Sequence, residues 1–152
     1  MTTIKLGQQV QNFILKDQND QDFSLEEYQG KKLLLSFHPL AFTKVCAEQM
    51  QSLEANLDAF QELNTVAVGV SIDHVPAKLA WAKKLGISNT RLLCDFWPHG
   101  KLAQDLGIFR EKNGFSQRAN IILDENQKVI FVKTYPLSQL PDIDEILQFL
   151  KG

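Results

Sequence analysis

Apolar runs alternate with amphipathic segments along most of the chain. Three runs have the length and composition of strands buried on both faces: residues 31–38 (KKLLLSFH), 65–73 (TVAVGVSID) and 91–95 (RLLCD). Between them, apolar residues three and four positions apart predict helices over residues 45–63 and 74–86. This alternation of strands and helices predicts parallel crossover units.

Hairpins and shorter helices flank these central units. Turn-forming residues between apolar pieces predict hairpins at residues 11–25 and 116–134. A short helix is predicted at 101–107, and an amphipathic helix at 141–152 closes the chain. No linker, repeat or low-complexity tract interrupts the chain, so we expect one domain over residues 1–152. The element order predicts an α/β fold of the thioredoxin-like kind, with a central mixed β-sheet flanked by helices on both faces.

Composition and charge narrow the class of protein. The chain has 152 residues, of which 44% are hydrophobic and 22% charged, and its formal net charge is -2. Without a basic block, nucleic acid and anionic membranes are not expected as partners. We find no signal peptide pattern and no membrane-spanning run, and two cysteines do not make a disulfide framework. We therefore expect a cytoplasmic protein.

One of the two cysteines lies at a special point of the predicted fold. In SFHPLAFTKVC a buried strand breaks at Pro39, and Cys46 follows where the next helix begins. A helix N-terminus favours an anion, and so would Lys44 or an arginine brought in from elsewhere. The Thr43 hydroxyl is placed to cap the helix, to contact the sulfur, or to do both in turn. A lone cysteine is more often a small buried apolar residue, but this context favours a reactive thiol.

The same stretch resembles a known family. PLAFTKVC fits the peroxiredoxin signature Pro-x-x-x-Thr-x-x-Cys, with Pro39, Thr43 and Cys46 in the matching places. Further segments resemble peroxiredoxins in the same order, so the likeness covers about residues 10–150. DFWPHG, at residues 95–100, is most similar to the one-cysteine alkyl hydroperoxide reductase E branch.

The resemblance implies a thiol-dependent peroxidase that reduces hydrogen peroxide and organic hydroperoxides in antioxidant defence. Cys46 would pass through a sulfenic acid, assisted by Thr43 and by Arg118, the match of the family's arginine. No cofactor and no metal are expected, and the family suggests a homodimer. Two positions depart from the family pattern: Lys44 stands where proline is usual, and Gln49 where Glu or Thr is frequent. Gln49 can still support Arg118 through a hydrogen bond, although a weaker one than a charged pair.

The second cysteine, Cys94, is the only internal candidate for a resolving thiol. It ends the strand at 91–95, which we expect to be separated from the strand preceding Cys46 by the strand at 65–73. Because the sulfurs would then be too far apart to bridge, we favour a buried, non-resolving Cys94. The reductant would be an external thiol, such as thioredoxin, glutaredoxin or a low-molecular-weight thiol.

The other conspicuous side chains are assigned to packing. Trp81 is expected in the core beneath the active site, and Phe42 could line the mouth of its pocket. His38, His74 and His99 are well separated and show no metal-binding spacing.

Three competing functions are weaker. A thioredoxin-type disulfide oxidoreductase needs Cys-x-x-Cys, but Gln49 occupies the second cysteine position. A cysteine hydrolase would need His38 or His74 as its base, and no oxyanion motif accompanies either. A redox-inactive thioredoxin-like scaffold that acts as an interaction protein remains the main alternative, although both Thr43 and Arg118 are present.

Overall fold

The structure is a computed structural model, and it describes residues 2–152. Its strands are β1 (Ile14–Lys16), β2 (Asp22–Ser24), β3 (Lys32–Phe37), β4 (Thr65–Ser71), β5 (Leu92–Cys94), β6 (Phe109–Arg110), β7 (Phe115–Ser116), β8 (Arg118–Leu123) and β9 (Val129–Tyr135). Its helices are α1 (Lys44–Ala55), α2 (Leu57–Glu62), α3 (Val75–Leu85), α4 (Lys101–Asp105) and α5 (Ile143–Lys151).

A mixed sheet forms the centre of the fold. Its strand order is β2-β1-β5-β4-β3-β8-β9, with β3, β4 and β5 parallel and the other pairs antiparallel. The late hairpin lies beside β3, and β4 separates β5 from β3, as predicted. The expected mixed sheet is therefore confirmed.

Each face of the sheet carries its own apolar core, because successive side chains of a strand point to opposite faces. One core packs α4 against β3 and β4 and includes Leu33, Leu35, Phe37, Val68, Val70, Leu102 and Leu106. The other packs α1, α2, α3 and α5 against the opposite face and includes Leu34, Cys46, Met50, Leu53, Phe60, Trp81, Ile146 and Leu147. Helices thus flank both faces, which confirms the predicted fold class.

The predicted helix over residues 45–63 was wrong in one respect, because the structure divides it into α1 and α2 at Asn56. This residue has φ -111° and ψ 18°, outside the α-helical region. Its side-chain Nδ2 donates to the Ser52 carbonyl at 2.7 Å. Asparagine competes with the helix for backbone hydrogen bonds in this way, whereas the apolar spacing continues through the break and hides it.

Some elements were not predicted from the sequence. The short ribbon of β6 and β7 and a 3-10 helix at Leu25–Tyr28 have too few residues to show a period. The N-terminal hairpin was predicted, but its pairing with β5 through Lys16 and Cys94 was not. Pairing between distant segments leaves no local signal.

The register brings the ends of three strands to one edge of the sheet. Phe37, the last residue of β3, pairs with Val70 of β4 and with Ala119 of β8. Since β8 runs antiparallel to β3, it begins with Arg118 where β3 ends. Helix α1 also begins at this edge. The fold therefore brings together Cys46 and Arg118, which are far apart in the sequence.

Candidate active site

The loop between β3 and α1 is fixed by contacts to the neighbouring strand. The Ala41 N–H donates to Oδ2 of Asp73, which follows β4, at 2.9 Å. Phe42 has φ +65°, in the left-handed region that bulky residues rarely adopt. The loop therefore has one defined path from Pro39, which is buried, to the start of α1.

Thr43 occupies the N-cap position of α1, but its hydroxyl makes neither of the contacts considered for it. The Oγ1 atom donates to the Leu40 carbonyl at 2.8 Å, and it accepts no N–H of the first helical turn. No hydrogen bond joins it to Cys46 in the described part of the chain. The hydroxyl is thus held within the loop, and Thr43 precedes Cys46 by three positions in the sequence.

Cys46 lies in the first turn of α1 and has no exposed surface. The first N–H groups of a helix have no intrahelical acceptors and carry a partial positive charge, which favours an anionic sulfur. Its nearest charged partner is the guanidinium of Arg118, whose Nη1 lies 3.3 Å from Sγ. The structure therefore joins the cysteine that the sequence context singled out to the arginine that the family resemblance implied.

The Arg118 side chain is held at both of its ends. Nε and Nη2 donate to the Leu137 carbonyl at 3.2 and 2.8 Å, while Nη1 also donates to Oε1 of Gln49 at 2.6 Å. Arg118 is only 3% exposed. This fixed, planar donor array is suited to an anionic sulfur and to the oxygens of a substrate beside it.

Gln49 connects Arg118 to a series of hydrogen-bonded polar side chains inside the sheet. The sequence analysis named the bond between Gln49 and Arg118 but not this series. Gln49 Nε2 donates to Ser36 Oγ at 2.7 Å, and this hydroxyl donates to Oδ1 of Asn120 at 2.8 Å. Asn120 Nδ2 then reaches the Tyr135 hydroxyl at 3.3 Å, which donates to Glu145 at 3.0 Å. The available signal was a polar residue inside each apolar run, Ser36 in β3 and Asn120 in β8.

The histidines are not placed as bases for Cys46. His38 is fully buried, with Nε2 2.6 Å from the ammonium of Lys78, and burial lowers its pKa well below the ordinary value. His74 caps α3 by accepting the Ala77 N–H at 3.2 Å. The cysteine hydrolase hypothesis therefore gains no support from the geometry.

Cys94 lies on the far side of β4, at the end of β5, and is also a free thiol. Burial raises its pKa to about 12, so the sulfur stays protonated at neutral pH. It lines a cavity of about 380 Å³ together with His74, Phe96 and Trp97. A protonated, poorly exposed thiol in this position is a poor nucleophile.

The aromatic residues near the loop differ in exposure. Trp81 is 1% exposed and its ring centroid lies 5.3 Å from that of His38, so it belongs to the core behind the loop. Phe42 is 53% exposed and lies 6.3 Å from Trp81, centroid to centroid. The structure places Trp81 beneath the loop and leaves Phe42 on its outer side.

Comparisons with known proteins agree with this arrangement. The profile of the AhpC/TSA family matches residues 6–132. Alkyl hydroperoxide reductase E of Mycobacterium tuberculosis is 34% identical over 131 residues, which cover 86% of this chain and 85% of that protein. The mitochondrial thioredoxin-dependent peroxide reductase of Drosophila melanogaster is 32% identical over 145 residues, covering 90% and 60% of the two chains.

Solved structures give the same result for the fold. The reduced 2-Cys peroxiredoxin of Plasmodium vivax superposes with a TM-score of 0.86 at 30% identity, covering 96% of this chain and 80% of that one. AhpC of Mycobacterium tuberculosis superposes with a TM-score of 0.89 over 99% and 98% of the two chains. At 24% identity, the second likeness concerns the fold alone.

Proposed function

This chain belongs to the AhpC/TSA family, and we propose that Cys46 is the nucleophile through which it reduces peroxides. The relatives it matches are peroxiredoxins and peroxide reductases, so the chain is a thiol-dependent peroxidase. The observation that supports Cys46 is its 3.3 Å contact with Nη1 of Arg118 at the start of α1. No observation favours a redox-inactive scaffold.

The proposed reaction is a two-electron transfer from sulfur to peroxide. The Cys46 thiolate attacks the terminal oxygen of the hydroperoxide, so that an S–O bond forms while the O–O bond breaks. The remaining oxygen leaves as alkoxide or hydroxide and takes up one proton, giving an alcohol or water. Arg118 donates hydrogen bonds where this negative charge develops, and its fixed position means that little reorganisation is needed.

The loop residues have supporting roles in this proposal. Pro39 shields the sulfur from water, and Thr43 turns its hydroxyl from Leu40 toward the peroxide when substrate enters. Since Cys46 has no exposed surface, substrate reaches it only when the segment around Leu40 and Thr43 opens. Phe42, on the outer side of the loop, would then contact the organic part of a hydroperoxide.

We propose that an external thiol completes the cycle. A first thiolate attacks the sulfenic acid sulfur, forming a mixed disulfide and releasing water, and a second thiol displaces Cys46. Thioredoxin, glutaredoxin and low-molecular-weight thiols are the candidate reductants. The raised pKa and separate strand of Cys94 argue against an internal partner. Two free thiols also suit a reducing compartment, for which we propose the cytoplasm.

The proposal is tested by intact mass after one equivalent of hydrogen peroxide, with and without a thiol trap. Wild-type protein is expected to gain one oxygen on Cys46, and Cys94→Ser, the matched control, should do the same. Cys46→Ser should lose peroxide reduction altogether, because no other thiolate is available. Full activity of Cys46→Ser would overturn the proposal, while loss of two hydrogens in wild type would make Cys94 a resolving thiol.

A further inference from the structure

Lys78 of helix α3 is an unusual residue for the inside of a protein. Its side chain has no exposed surface, and in the described part of the chain its ammonium has one hydrogen bond, to Nε2 of His38 at 2.6 Å, and lies 5.1 Å from the centroid of the Trp81 ring. Among residues 2–152, no carboxylate lies within 4.0 Å of it. Buried ammonium groups normally have an anionic partner, because an unpaired charge in the interior is strongly unfavourable.

The charge of this pair resides on Lys78 and not on His38. Burial lowers the pKa of His38 first, and the neighbouring charges of Lys78 and Arg118 lower it further. A neutral His38 accepts from the ammonium at Nε2 and carries its proton on Nδ1, which faces the Ser36 carbonyl at 3.4 Å. The pair is therefore a buried cation with a neutral acceptor.

The strand register places this cation next to the proposed peroxidase site. Phe37 and Ala119 are paired across β3 and β8, so His38 lies opposite Arg118, one residue further along. Arg118 in turn contacts Cys46 at 3.3 Å. Moreover, Lys78 approaches the same face of the sheet from α3 that Cys46 approaches from α1, because Trp81 and Cys46 belong to one core.

Of the groups around Lys78 that can carry a negative charge, one loses that charge during the proposed reaction. Burial lowers the pKa of Lys78 to about 8, and three groups that become negative when they ionise oppose this, in decreasing order Asp73, Cys94 and Cys46. Asp73 also accepts the Ala41 N–H. Cys94 is neutral at pH 7, because its pKa is raised to about 12. Asp73 and the Cys46 thiolate are thus the negative charges that remain to stabilise the ammonium of Lys78. Only the charge of Cys46 is lost when the sulfur is oxidised.

We propose that Lys78 is a second buried cation of the peroxidase site, after Arg118, and that its positive charge stabilises the Cys46 thiolate. His38 and Arg118 form the row of side chains between the two groups. The inference rests on the function proposed for Cys46. Lys78 does not touch the sulfur, so it acts through its charge and not as a hydrogen-bond donor to substrate. Coupling of this kind is reciprocal: whatever Lys78 contributes to the thiolate, the thiolate contributes to the charge of Lys78.

The first test measures how the rate of Cys46 alkylation by iodoacetamide depends on pH, in a Cys94→Ser background. Lys78→Met removes the charge and keeps an unbranched side chain that is one heavy atom shorter. It should move the pH of half-maximal rate upward by about one unit, the order of magnitude for the loss of one buried charge. Above about pH 9, where the ammonium is lost in any case, the two rates should converge. Lys84→Met, an exposed position on the same helix, is the matched control and should leave the profile unchanged.

A profile of Lys78→Met that superimposes on that of its parent would overturn the proposal. A uniform loss of rate at every pH would also overturn it, since that result indicates a packing role alone.

The reciprocal test does not depend on the folding of Lys78→Met. The side-chain NMR signal of Lys78 should titrate at a lower pH in Cys46→Ser than in wild type, because the serine lacks the negative charge that stabilises the ammonium of Lys78. Identical titrations would contradict the coupling. Intact mass after peroxide treatment separates the two proposals: oxidation of Cys46 without any coupling would sink the inference on Lys78 and leave the peroxidase assignment standing.

Discussion

At the scale of single residues, the site depends on a guanidinium that has five donors and uses most of them. Nε and Nη2 of Arg118 anchor the side chain on Leu137, which leaves Nη1 to meet Cys46 and Gln49. An arginine with fewer anchors would have several orientations and would lose part of its effect on the transition state. The geometry of the fork therefore matters as much as its charge.

Arg118→Lys should reduce the second-order rate of Cys46 oxidation by about 10²-fold, because a lysine keeps the charge but cannot meet Leu137 and Cys46 together. The rate is measured by stopped-flow fluorescence with hydrogen peroxide. Arg110→Lys, at a half-buried arginine whose side chain donates to Asn113, serves as the control and should be unaffected. A wild-type rate in Arg118→Lys would show that charge alone is sufficient.

Ser36 is expected to matter although it is remote from the sulfur in sequence. Its hydroxyl accepts from Gln49 and donates to Asn120, all three being buried. Ser36→Ala leaves Asn120 Oδ1 without this donor and should lower the free energy of unfolding by about 1 to 3 kcal/mol. Urea denaturation measures this change. Ser52→Ala, which removes a hydroxyl bonded to the Gln49 carbonyl in the half-buried part of α1, should cost less.

Sequence reasoning found some of these residues and missed others for a physical reason. Cys46 was visible from the pattern of one short segment and Arg118 from the family resemblance, so both were named before any pairing was known. Ser36 and Asn120 gain their roles only through the register of β3 and β8. Lys78 lies on the buried side of α3, and its place becomes apparent only through its contact with His38.

At the scale of elements, helix α1 is tied to the segment between α3 and β5 by one carboxylate. Glu54 accepts the backbone N–H groups of Ser88, Asn89 and Thr90 and the Thr90 hydroxyl. Burial alone would raise the pKa of Glu54, but these hydrogen bonds outweigh it and lower the pKa to about 2. The ionised form is thus the one that holds the two elements together.

Glu54→Gln should destabilise the protein by about 1 to 2 kcal/mol at pH 7, a value reduced for partial solvent exposure. The folded pKa of Glu54 is below its unfolded value of 4.5, so its contribution is complete above about pH 4.5. The contribution is lost as the pH falls toward 2. Urea unfolding of wild type and Glu54→Gln should therefore show a gap that narrows from pH 7 to pH 3. A gap independent of pH would mean that the ionised carboxylate is not the stabilising group.

The elements were predictable where periodicity and length agreed. The buried strands β3 and β4 are continuous apolar runs, and the predicted helix over 74–86 ends at Gly86, which has φ +71°. The break at Asn56 was invisible because Leu53 and Phe60 keep their helical spacing across it. Local propensity at a single residue decided that boundary, and a pattern of several residues cannot report it.

At the scale of the whole molecule, exposed apolar residues gather near the end of the sheet that carries the site. Phe42 follows β3 and is 53% exposed, while Phe96 and Trp97 follow β5 and are 46% and 78% exposed. Ile14 is 58% exposed and lines the same cavity as Trp97. Exposed apolar groups of this kind mark protein interaction surfaces.

Among the described residues, no helix could cross a membrane.

We propose that this exposed apolar surface forms the homodimer that the family resemblance suggests. Trp97→Glu places a charge where the most exposed aromatic ring of the surface lies, and it should weaken self-association at least tenfold, because burying an unpaired carboxylate is unfavourable. Sedimentation equilibrium over a range of concentrations measures the change. Leu140→Glu alters another exposed apolar residue, before α5, and should leave association unchanged. A wild-type chain that remains monomeric at every concentration would contradict the dimer. An effect of Leu140→Glu alone would instead place the interface beside α5.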